Sequence, residues 1–365
     1  MVRIFGLDYV GMTMFDESIR KKLPKLLEEL EKEPLRVCVE PTNACNALCS
    51  FCANKDCKRE RKIMNFEQYK KTLAQIMEIG CRELKFTPII GDPFVDPGFL
   101  EKVKYAKSLN YFKVIYTFSN MIGANYEKAD DIVNSGLTQL MISTCLQGRE
   151  DYKRIYGVDR FDQAMKNILT LLEANQKLDN PLNVSIWLRH DKGFDLAKSP
   201  YYQKMLRYTS KINVLNDDYD NWSGMVTQED LPKGQKFKKK KNNTWPCAQF
   251  YNGLVVGPSG EVGMCWARDT NFDLMVGNIN EKSFKEIWQG EKVKGLRQQW
   301  LAGKIPYPCN DCLQYCSVLD HSLVQKYILR HIWQYLLFLP YVARAKWQAL
   351  VERATGVWRQ WRQTS

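Results

Sequence analysis

The stretch RVCVEPTNACNALCSFC, residues 36–52, decides the fold because it joins a short apolar strand to a loop that carries three cysteines. The pattern from Arg36 to Asn43 predicts a strand that ends at Pro41 and a polar turn. The pattern from Phe66 to Gly80 predicts a helix that is closed by glycine. A strand, a cysteine loop and a helix therefore form the first unit of an α/β fold.

The same alternation of strands and helices continues along the chain. Six parallel strands connected by right-handed crossovers are fewer than the eight of a closed barrel, so we expect an α/β partial (βα)6 TIM-like barrel or an open sheet. In both cases the reactive groups belong at the carboxyl ends of the strands. The further predicted strands are Glu83 to Ile89, Lys113 to Asn120, Gln139 to Cys145, Asn183 to Arg189 and Lys211 to Asn216, and the further helices are Gly98 to Leu109, Tyr126 to Ser135, Phe161 to Asn175 and Pro200 to Thr209.

The composition bounds the class of protein. A chain of 365 residues with 45% apolar and 26% charged residues can bury a core, which excludes a disordered or fibrous protein. The net charge of +12 favours anionic partners such as phosphorylated substrates, nucleic acid or acidic lipid. The basic run Lys238 to Lys241 is more typical of solvated surface, which makes nucleic acid an unlikely partner. Met1 to Glu33 lacks the apolar core of a signal peptide, so we expect a cytoplasmic chain.

The three thiols of Cys45, Cys49 and Cys52 can wrap around one inorganic cluster. Three thiolates hold three irons of a cubane and leave the fourth iron open to a ligand that is not protein. An open iron is a site for chemistry. Zinc remains an alternative, because Cys38 or Cys57 could supply a fourth sulfur.

This spacing, with Phe51 before the last cysteine, closely resembles the radical S-adenosylmethionine superfamily. The resemblance implies that Cys45, Cys49 and Cys52 bind a [4Fe-4S] cluster whose unique iron is chelated by S-adenosylmethionine. It also implies a 5'-deoxyadenosyl radical that abstracts hydrogen from a substrate carbon, and a reductant such as flavodoxin or ferredoxin. Phe51 would lie near the adenine.

Further residues are similar to the cofactor contacts of that family. Gly91-Asp92-Pro93 resembles the Gly-Glu-Pro type motif for the amino group of the cofactor, with Asp in place of Glu. Residues at the ends of the next strands would contact the ribose or the methionyl carboxylate: Ser119, Asn120, Ser143 and Arg189.

A second set of cysteines lies near the carboxyl terminus. Cys247 and Cys265 flank a predicted hairpin formed by Leu254 to Val256 and Val262 to Cys265, and Cys309, Cys312 and Cys316 follow a predicted helix from Ser283 to Leu301. Four sulfurs close a structural or electron-transfer site, and spacing alone does not separate zinc from iron–sulfur.

This segment resembles the SPASM and twitch extensions of the same superfamily. Only five cysteines are present, fewer than the full SPASM pattern uses, which favours one auxiliary [4Fe-4S] cluster. Cys247, Cys265, Cys309 and Cys312 are the expected ligands, with Cys316 as an alternative to one of the last two.

The expected organisation has five parts. They are an amphipathic helical segment at 1–33, the partial barrel at 34–221, a basic linker at 222–245, the auxiliary cluster domain at 246–320 and a Trp-rich basic helical tail at 321–365. Within the tail, Ile332 to Ala343 is uncharged but has 12 residues, fewer than the roughly 20 that span a bilayer. We expect the tail to pack on the domain or on a partner, with contact at the inner membrane face as the alternative.

Cys145 bears on the reaction. It shares a strand face with Ser143, so its thiol could return hydrogen to a substrate radical, as in radical epimerases of the superfamily; the alternative is a buried apolar cysteine. We expect a radical oxidoreductase or epimerase that acts on a sugar-like or other small molecule, because no leader-recognition domain is evident before the first strand. Dehydrogenation or cross-linking of a peptide is the alternative, and a zinc-stabilised binding module for nucleic acid or membrane is a third.

Other polar residues near the ends of the last two strands could orient a substrate or lie in solvated loops: His190, Asp191, Asp217, Asp218 and Asp220.

Overall fold

The computed structural model describes residues 21–320 except 26, 29, 210, 242 and 244. The chain divides into two compact units, of which Glu28–Val318 contains the whole sheet. The other consists of the two terminal segments, and of these residues 21–25 are described as helical. The predictions for the tail at 321–365 lie outside the described residues. No helix among the described residues is long and apolar enough to span a membrane.

The six predicted parallel strands are all present and form one continuous sheet. The sheet is open, with β6 and β9 at its edges, and the order is β6-β5-β4-β3-β2-β1-β7-β8-β9. This confirms the partial barrel. The strands are β1 Arg36–Val39, β2 Glu83–Lys85, β3 Val114–Ser119, β4 Gln139–Thr144, β5 Asn183–Leu188, β6 Ile212–Val214, β7 Gly253–Val256, β8 Glu261–Gly263 and β9 Met275–Asn278.

The helices follow the predicted alternation with two differences. Helix α4 was not predicted, and the helix predicted from Ser283 to Leu301 is two helices, because Gly290 takes an extended conformation between them. The helices are α1 Phe66–Glu78, α2 Phe99–Ser108, α3 Ala129–Val133, α4 Arg149–Tyr156, α5 Phe161–Lys177, α6 Pro200–Leu206, α7 Phe284–Trp288 and α8 Glu291–Leu301.

Local sequence explains where these helices begin and which face they bury. The Asn65 side chain caps α1 by accepting a hydrogen bond from the Gln68 amide at 2.8 Å. Three residues spaced by about one helical turn are buried on the same face of α1: Tyr69, Leu73 and Ile76. An apolar stripe of this kind holds each helix against the sheet.

The two faces of the parallel sheet differ in burial. One face is fully buried under the helices and forms the core, with residues such as Leu84, Ile115 and Ile142. The strand register places the alternate residues on the opposite, inner face, where Lys85 pairs with Tyr116 and Ser143 pairs with Trp187. These inner side chains are half-buried, so the inner face borders the space in which a substrate can bind.

The carboxyl-terminal hairpin joins the parallel sheet at β1. Strand β7 runs parallel to β1, and Arg36 pairs with Gly253. A Cβ atom on Gly253 would lie 2.0 Å from the Arg36 carbonyl oxygen, so the contact between β1 and β7, here called the seam, requires glycine. Sequence patterns predicted the hairpin but neither its pairing with β1 nor the third strand, β9.

Candidate active site

The loop of Cys45, Cys49 and Cys52 follows the carboxyl end of β1 and is held by backbone hydrogen bonds. The Leu48 amide donates to the Tyr156 carbonyl at 3.0 Å, and the Ser50 amide donates to the Ile155 carbonyl at 2.9 Å. Both acceptors lie in the last turn of α4, whose carbonyls have no partner within the helix. The unpredicted helix therefore positions the cysteine loop. The available sequence clue was a helical stretch between Gly148 and Gly157.

The three thiols lie close enough to affect one another. Burial, together with the negative charges of Asp92 and Cys52, raises the pKa of the Cys45 thiol to about 12. Burial also raises the pKa of Cys49, as do the charges of Cys52 and Cys45. A cation bound among the three sulfurs would remove this repulsion and hold them as thiolates.

The two cysteines that could complete a zinc site have partners elsewhere. The Cys38 thiol donates to the Thr87 carbonyl at 2.8 Å, and the Cys57 thiol donates to the Thr270 carbonyl at 3.7 Å. Across the described part of the chain, no three His, Cys, Asp or Glu side chains are arranged around a single metal ion. The loop itself supplies three soft sulfurs and no fourth protein ligand, and this chemistry fits an iron–sulfur cluster with an open corner.

Asp92 ties the ends of β2 and β3 to the cysteine loop. Its carboxylate accepts hydrogen bonds from the Ser119 hydroxyl at 3.0 Å, the Asn120 amide at 2.7 Å and the Phe94 amide at 3.0 Å. Its own amide donates to the Ala44 carbonyl at 2.9 Å. Burial raises the pKa of Asp92 to about 6, although these donors oppose the shift. Its side chain is therefore engaged in holding the loops together.

Asn120 extends this network to the cysteines. Its side-chain amide donates to Asn46 Oδ1 at 2.8 Å and lies 3.9 Å from Cys45 Sγ. Gly91 lies on the other side of the same loop, and a Cβ there would approach the Ala44 carbonyl oxygen to 2.9 Å. The sequence-predicted residues at the ends of β2 and β3 thus converge on the loop.

Arg189 and Ser143 approach the same loop from β5 and β4. The guanidinium of Arg189 lies 5.0 Å from the Phe51 ring centroid and 5.4 Å from that of Tyr219. Its Nε is buried and has no hydrogen-bond partner within the described residues, which leaves it available to a bound carboxylate. The Ser143 hydroxyl is hydrogen-bonded to the Tyr156 hydroxyl at 3.0 Å.

Cys145 directly follows β4 and is fully buried. Burial, together with the nearby charges of Asp151 and Asp191, raises the pKa of its thiol to about 12, so the group is a neutral S–H at pH 7. It follows Ser143, whose hydroxyl is hydrogen-bonded to Tyr156, by two residues in the chain. Cys145 is therefore a neighbour of the site.

The predicted auxiliary cysteines come together from three separate segments. Burial, together with the charges of Cys265 and Cys312, raises the pKa of Cys247 to about 12. Burial raises the pKa of Cys309, with added contributions from Cys265, Cys247 and Cys312. Cys316 contributes a backbone contact, because its carbonyl accepts a hydrogen bond from the Ala248 amide at 2.8 Å.

Four of the predicted polar residues after β5 and β6 have partners in the fold. Asp191 pairs with Arg154 at 2.6 Å, and Asp217 pairs with Lys192. His190 Nδ1 is hydrogen-bonded to the Asp191 carbonyl at 2.7 Å. Asp220 is buried and pairs with Arg268 at 2.6 Å. Sequence reasoning identified neither Arg268 nor Trp222, which lie beside these groups.

Two family profiles match the chain in the two regions that carry the cysteines. The profile of the radical SAM superfamily matches residues 39–185. Residues 39–185 therefore form a radical SAM domain. The profile of the SPASM iron–sulfur cluster-binding domain matches residues 247–313. The radical SAM protein therefore uses S-adenosylmethionine, a radical SAM [4Fe-4S] cluster and an auxiliary iron–sulfur cluster.

Several characterised proteins are similar to this radical SAM protein. PqqA peptide cyclase of Bradyrhizobium diazoefficiens is 24% identical over 313 residues, which cover 76% of this chain and 78% of the relative. GTP 3',8-cyclase of Chlorobaculum tepidum is 27% identical over 186 residues, 50% of this chain and 54% of the relative.

Solved structures show the same fold at lower identity. Streptococcus suis SuiB bound to its precursor peptide SuiA has a TM-score of 0.55 and 14% identity, covering 87% of this chain and 80% of SuiB. BtrN in complex with AdoMet and 2-DOIA has a TM-score of 0.51 and 16% identity, covering 74% of this chain and 88% of BtrN.

Proposed function

We propose that this radical SAM protein modifies a peptide by dehydrogenation or cross-linking. The expected preference for a sugar-like small molecule has no support. The Bradyrhizobium diazoefficiens relative, which matches 76% of the chain, is a PqqA peptide cyclase. The family match establishes the radical SAM class. It does not establish oxidoreductase or epimerase chemistry, which the sequence led us to expect. The peptide alternative is the better interpretation.

The inner face of the sheet carries this proposal. Tyr116 and Phe118 on β3 and Trp187 on β5 are half-buried and line neighbouring positions of this face. Phe118 and Trp187 are in contact, with ring centroids 6.2 Å apart. Half-exposed aromatic rings supply apolar contact area at low conformational cost, which suits the side chains of a bound peptide.

Lys85 adds a cation to the same face. Its ammonium lies 5.5 Å from the Trp266 ring centroid, and no carboxylate pairs with it among the described residues. Burial lowers the pKa of Lys85, and the charge of Cys38 opposes this shift. A face that combines aromatic rings with a lysine side chain fits a peptide with aromatic and polar side chains.

The cysteines divide into two proposed ligand sets. Cys45, Cys49 and Cys52 would hold the radical SAM cluster, and Cys247, Cys265, Cys309 and Cys312 would hold the auxiliary cluster. When bound and reduced by a one-electron donor such as flavodoxin or ferredoxin, the cluster and S-adenosylmethionine supply a carbon radical that abstracts hydrogen.

The surrounding residues would bind and orient the cofactor. Arg189 would bind the methionyl carboxylate through its free Nε, and Phe51 would flank the adenine. Asn120, Ser119 and Ser143 would face the ribose side. Gly91 and Pro93 would keep the loop after β2 close to the cysteines, and Asp92 would lock that loop in place.

Incubation with peptides tests the proposal. Anaerobically reconstituted enzyme, reductant and S-adenosylmethionine are mixed with peptides encoded beside its gene, and products are followed by mass spectrometry. We expect a peptide product that has lost two hydrogen atoms, together with 5'-deoxyadenosine. Formation of 5'-deoxyadenosine with unmodified peptides, and turnover of a small molecule instead, would contradict the peptide proposal.

A second candidate, epimerisation, is favoured by one observation, the neutral buried thiol of Cys145 beside the site. A thiol can return a hydrogen atom to a substrate radical, and its S–H exchanges with solvent. Reaction in deuterated water separates the two candidates, since epimerisation places solvent deuterium on carbon and cross-linking or dehydrogenation does not.

A further inference from the structure

Lys85 on β2 is a lysine of the inner face whose ammonium has no acidic partner. The residue is half-buried and lies between Cys38 of β1 and Tyr116 of β3. Within the described part of the chain its ammonium forms neither a hydrogen bond nor an ion pair, and the Glu83 carboxylate of the same strand pairs with Arg36 at 3.0 Å. Because an ammonium that is partly withdrawn from water without a partner costs free energy, a bound anion would stabilise it.

A second lysine shows how this fold treats a buried ammonium. Lys102 on α2 is 3% exposed, and its ammonium pairs with the buried Asp96 carboxylate at 2.5 Å. Lys85 instead has an aromatic neighbour, since its ammonium lies 5.5 Å from the Trp266 ring centroid. The face of an indole ring attracts a cation but does not neutralise it. The described residues therefore leave the charge of Lys85 to a group from outside the chain.

Two further polar atoms of the inner face lack partners. The Phe86 amide donates to the Tyr116 carbonyl at 2.8 Å, which extends the strand past Lys85 and places Thr87 on the same face as Lys85. The Thr87 hydroxyl and Trp187 Nε1 are buried and have no hydrogen-bond partner among the described residues. Buried polar atoms are nearly always hydrogen-bonded, so these groups indicate a polar ligand. Ammonium, hydroxyl and indole N–H can all donate, and a carboxylate accepts from each.

Two buried carboxylates in this region are already paired. Glu40, which directly follows β1, pairs with Arg59 at 2.5 Å. Asp220 pairs with Arg268 at 2.6 Å and with Lys238 at 3.2 Å. The first pair is neutral, and the second group has two cations for one carboxylate. Neither group offers a free anion to Lys85, so the region as a whole favours an anionic ligand.

We propose that Lys85 is a specificity-determining residue that binds a carboxylate of the substrate on the inner face of the sheet. The inference rests on the proposed function, since a peptide presents such a carboxylate as the side chain of Asp or Glu. The expected substrate is thus a peptide that carries an acidic residue, with apolar or aromatic side chains beside it that contact Tyr116 and Phe118.

Binding of two matched peptides to the anaerobically reconstituted holoenzyme with S-adenosylmethionine tests the inference without requiring turnover. The probes are acetyl-Phe-Glu-Phe-amide and acetyl-Phe-Gln-Phe-amide, and isothermal titration calorimetry measures both affinities. We expect the glutamate peptide to bind about 30-fold more tightly, at the lower end of the effect of a buried charge pair. Lys85→Met should abolish this preference, and Lys85→Arg, which keeps the charge, should retain most of it.

Lys204→Met is the matched control. Lys204 also lies over an aromatic ring, that of Tyr201 at 5.7 Å, but it is exposed on α6, so this variant should keep the preference. Thermal denaturation separates substrate binding from a structural role. Lys85→Met removes a half-buried charge and leaves no carboxylate unpaired, so its melting temperature should stay the same or rise. A lower melting temperature with an unchanged preference would make Lys85 a structural residue.

The remaining outcomes separate this inference from the proposed function. Equal binding of the two peptides, or a preference that survives in Lys85→Met, would reject the role of Lys85 and leave the peptide substrate standing. If neither peptide binds, the small dicarboxylate glutarate and its diamide decide. Glutarate binding that depends on Lys85 would keep the carboxylate site and reject the peptide, whereas absence of glutarate binding would reject both.

Discussion

The two cysteine regions of this protein are built differently. Cys45, Cys49 and Cys52 lie in one loop, held through backbone bonds to the last turn of α4. Cys247, Cys265, Cys309 and Cys312 come from segments before β7, after β8 and after α8. The first set depends on one local loop, whereas the second exists only when distant segments have folded together. We therefore expect loss of the first set to abolish the chemistry, and loss of the second set to lower the stability of the holoenzyme more, because only the second set links distant segments.

The largest expected effect is that of Cys49→Ala. Loss of one of three thiolates should remove about four of the roughly eight irons that two cubanes contain, and with them all cleavage of S-adenosylmethionine. The melting temperature of the cluster-free protein should stay unchanged, because the loop is fixed by its backbone. Iron analysis, chromatography of 5'-deoxyadenosine and thermal denaturation measure the three quantities.

Cys57→Ala is the matched control for that experiment, because its thiol binds the Thr270 carbonyl. It should retain iron and cleavage. Cleavage that survives in Cys49→Ala but is lost in Cys57→Ala would show that the ligand set has been assigned wrongly.

Cys309→Ala should have the next largest effect and a different profile. We expect loss of the auxiliary iron and retention of S-adenosylmethionine cleavage. The melting temperature of the holoenzyme should also fall by several degrees, since a cluster bound only to the folded state stabilises it. Cys316→Ala should retain all the iron. If Cys309→Ala retains the iron and Cys316→Ala loses it, Cys316 and not Cys309 is the fourth ligand.

A third prediction concerns the seam that joins the two regions. In Gly253→Ala the new methyl group would lie 2.0 Å from the Arg36 carbonyl oxygen, so β7 must move away from β1. We expect the free energy of unfolding to fall by about 1–3 kcal/mol, as for other overpacked sites. Chemical denaturation followed by circular dichroism measures it.

Gly295→Ala is the control for the seam. Gly295 lies within α8, and a Cβ there meets no atom within 4 Å. Alanine should stabilise that helix by about 0.5–1 kcal/mol. Similar effects of the two substitutions would mean that the β1–β7 contact is not tight.

The same contrast explains what the sequence could predict. The cysteine loop, the alternation of strands and helices and the polar residues at strand ends are local patterns, and the structure brings Asp92, Asn120 and Arg189 to one site. The pairing of β7 with β1 is not local, and no periodicity encodes a partner strand. Trp222 was missed for the same reason, because its role is defined by contacts to Phe51 and to Arg268, far away in the chain.

Helix α4 was missed for another reason. Its sequence, Arg149–Tyr156, is short and strongly charged, and its only apolar positions are three buried residues, Tyr152, Ile155 and Tyr156. A stripe that narrow predicts a helix weakly. Its stability comes from tertiary packing, including the stacked rings of Tyr152 and Tyr156 with centroids 4.6 Å apart.

The smallest expected effect is that of Cys145→Ala. Cys145 belongs to neither proposed ligand set, so its replacement shows what the loss of a cysteine outside a cluster does. A small buried group is lost, so we expect a cost of about 1 kcal/mol in the free energy of unfolding, with both clusters retained. Dehydrogenation or cross-linking of a peptide needs no hydrogen donor on the protein, so the product should be unchanged. Reaction in deuterated water gives the decisive readout: if wild-type enzyme places deuterium on a product carbon and Cys145→Ala does not, the thiol is a hydrogen donor and the reaction is an epimerisation.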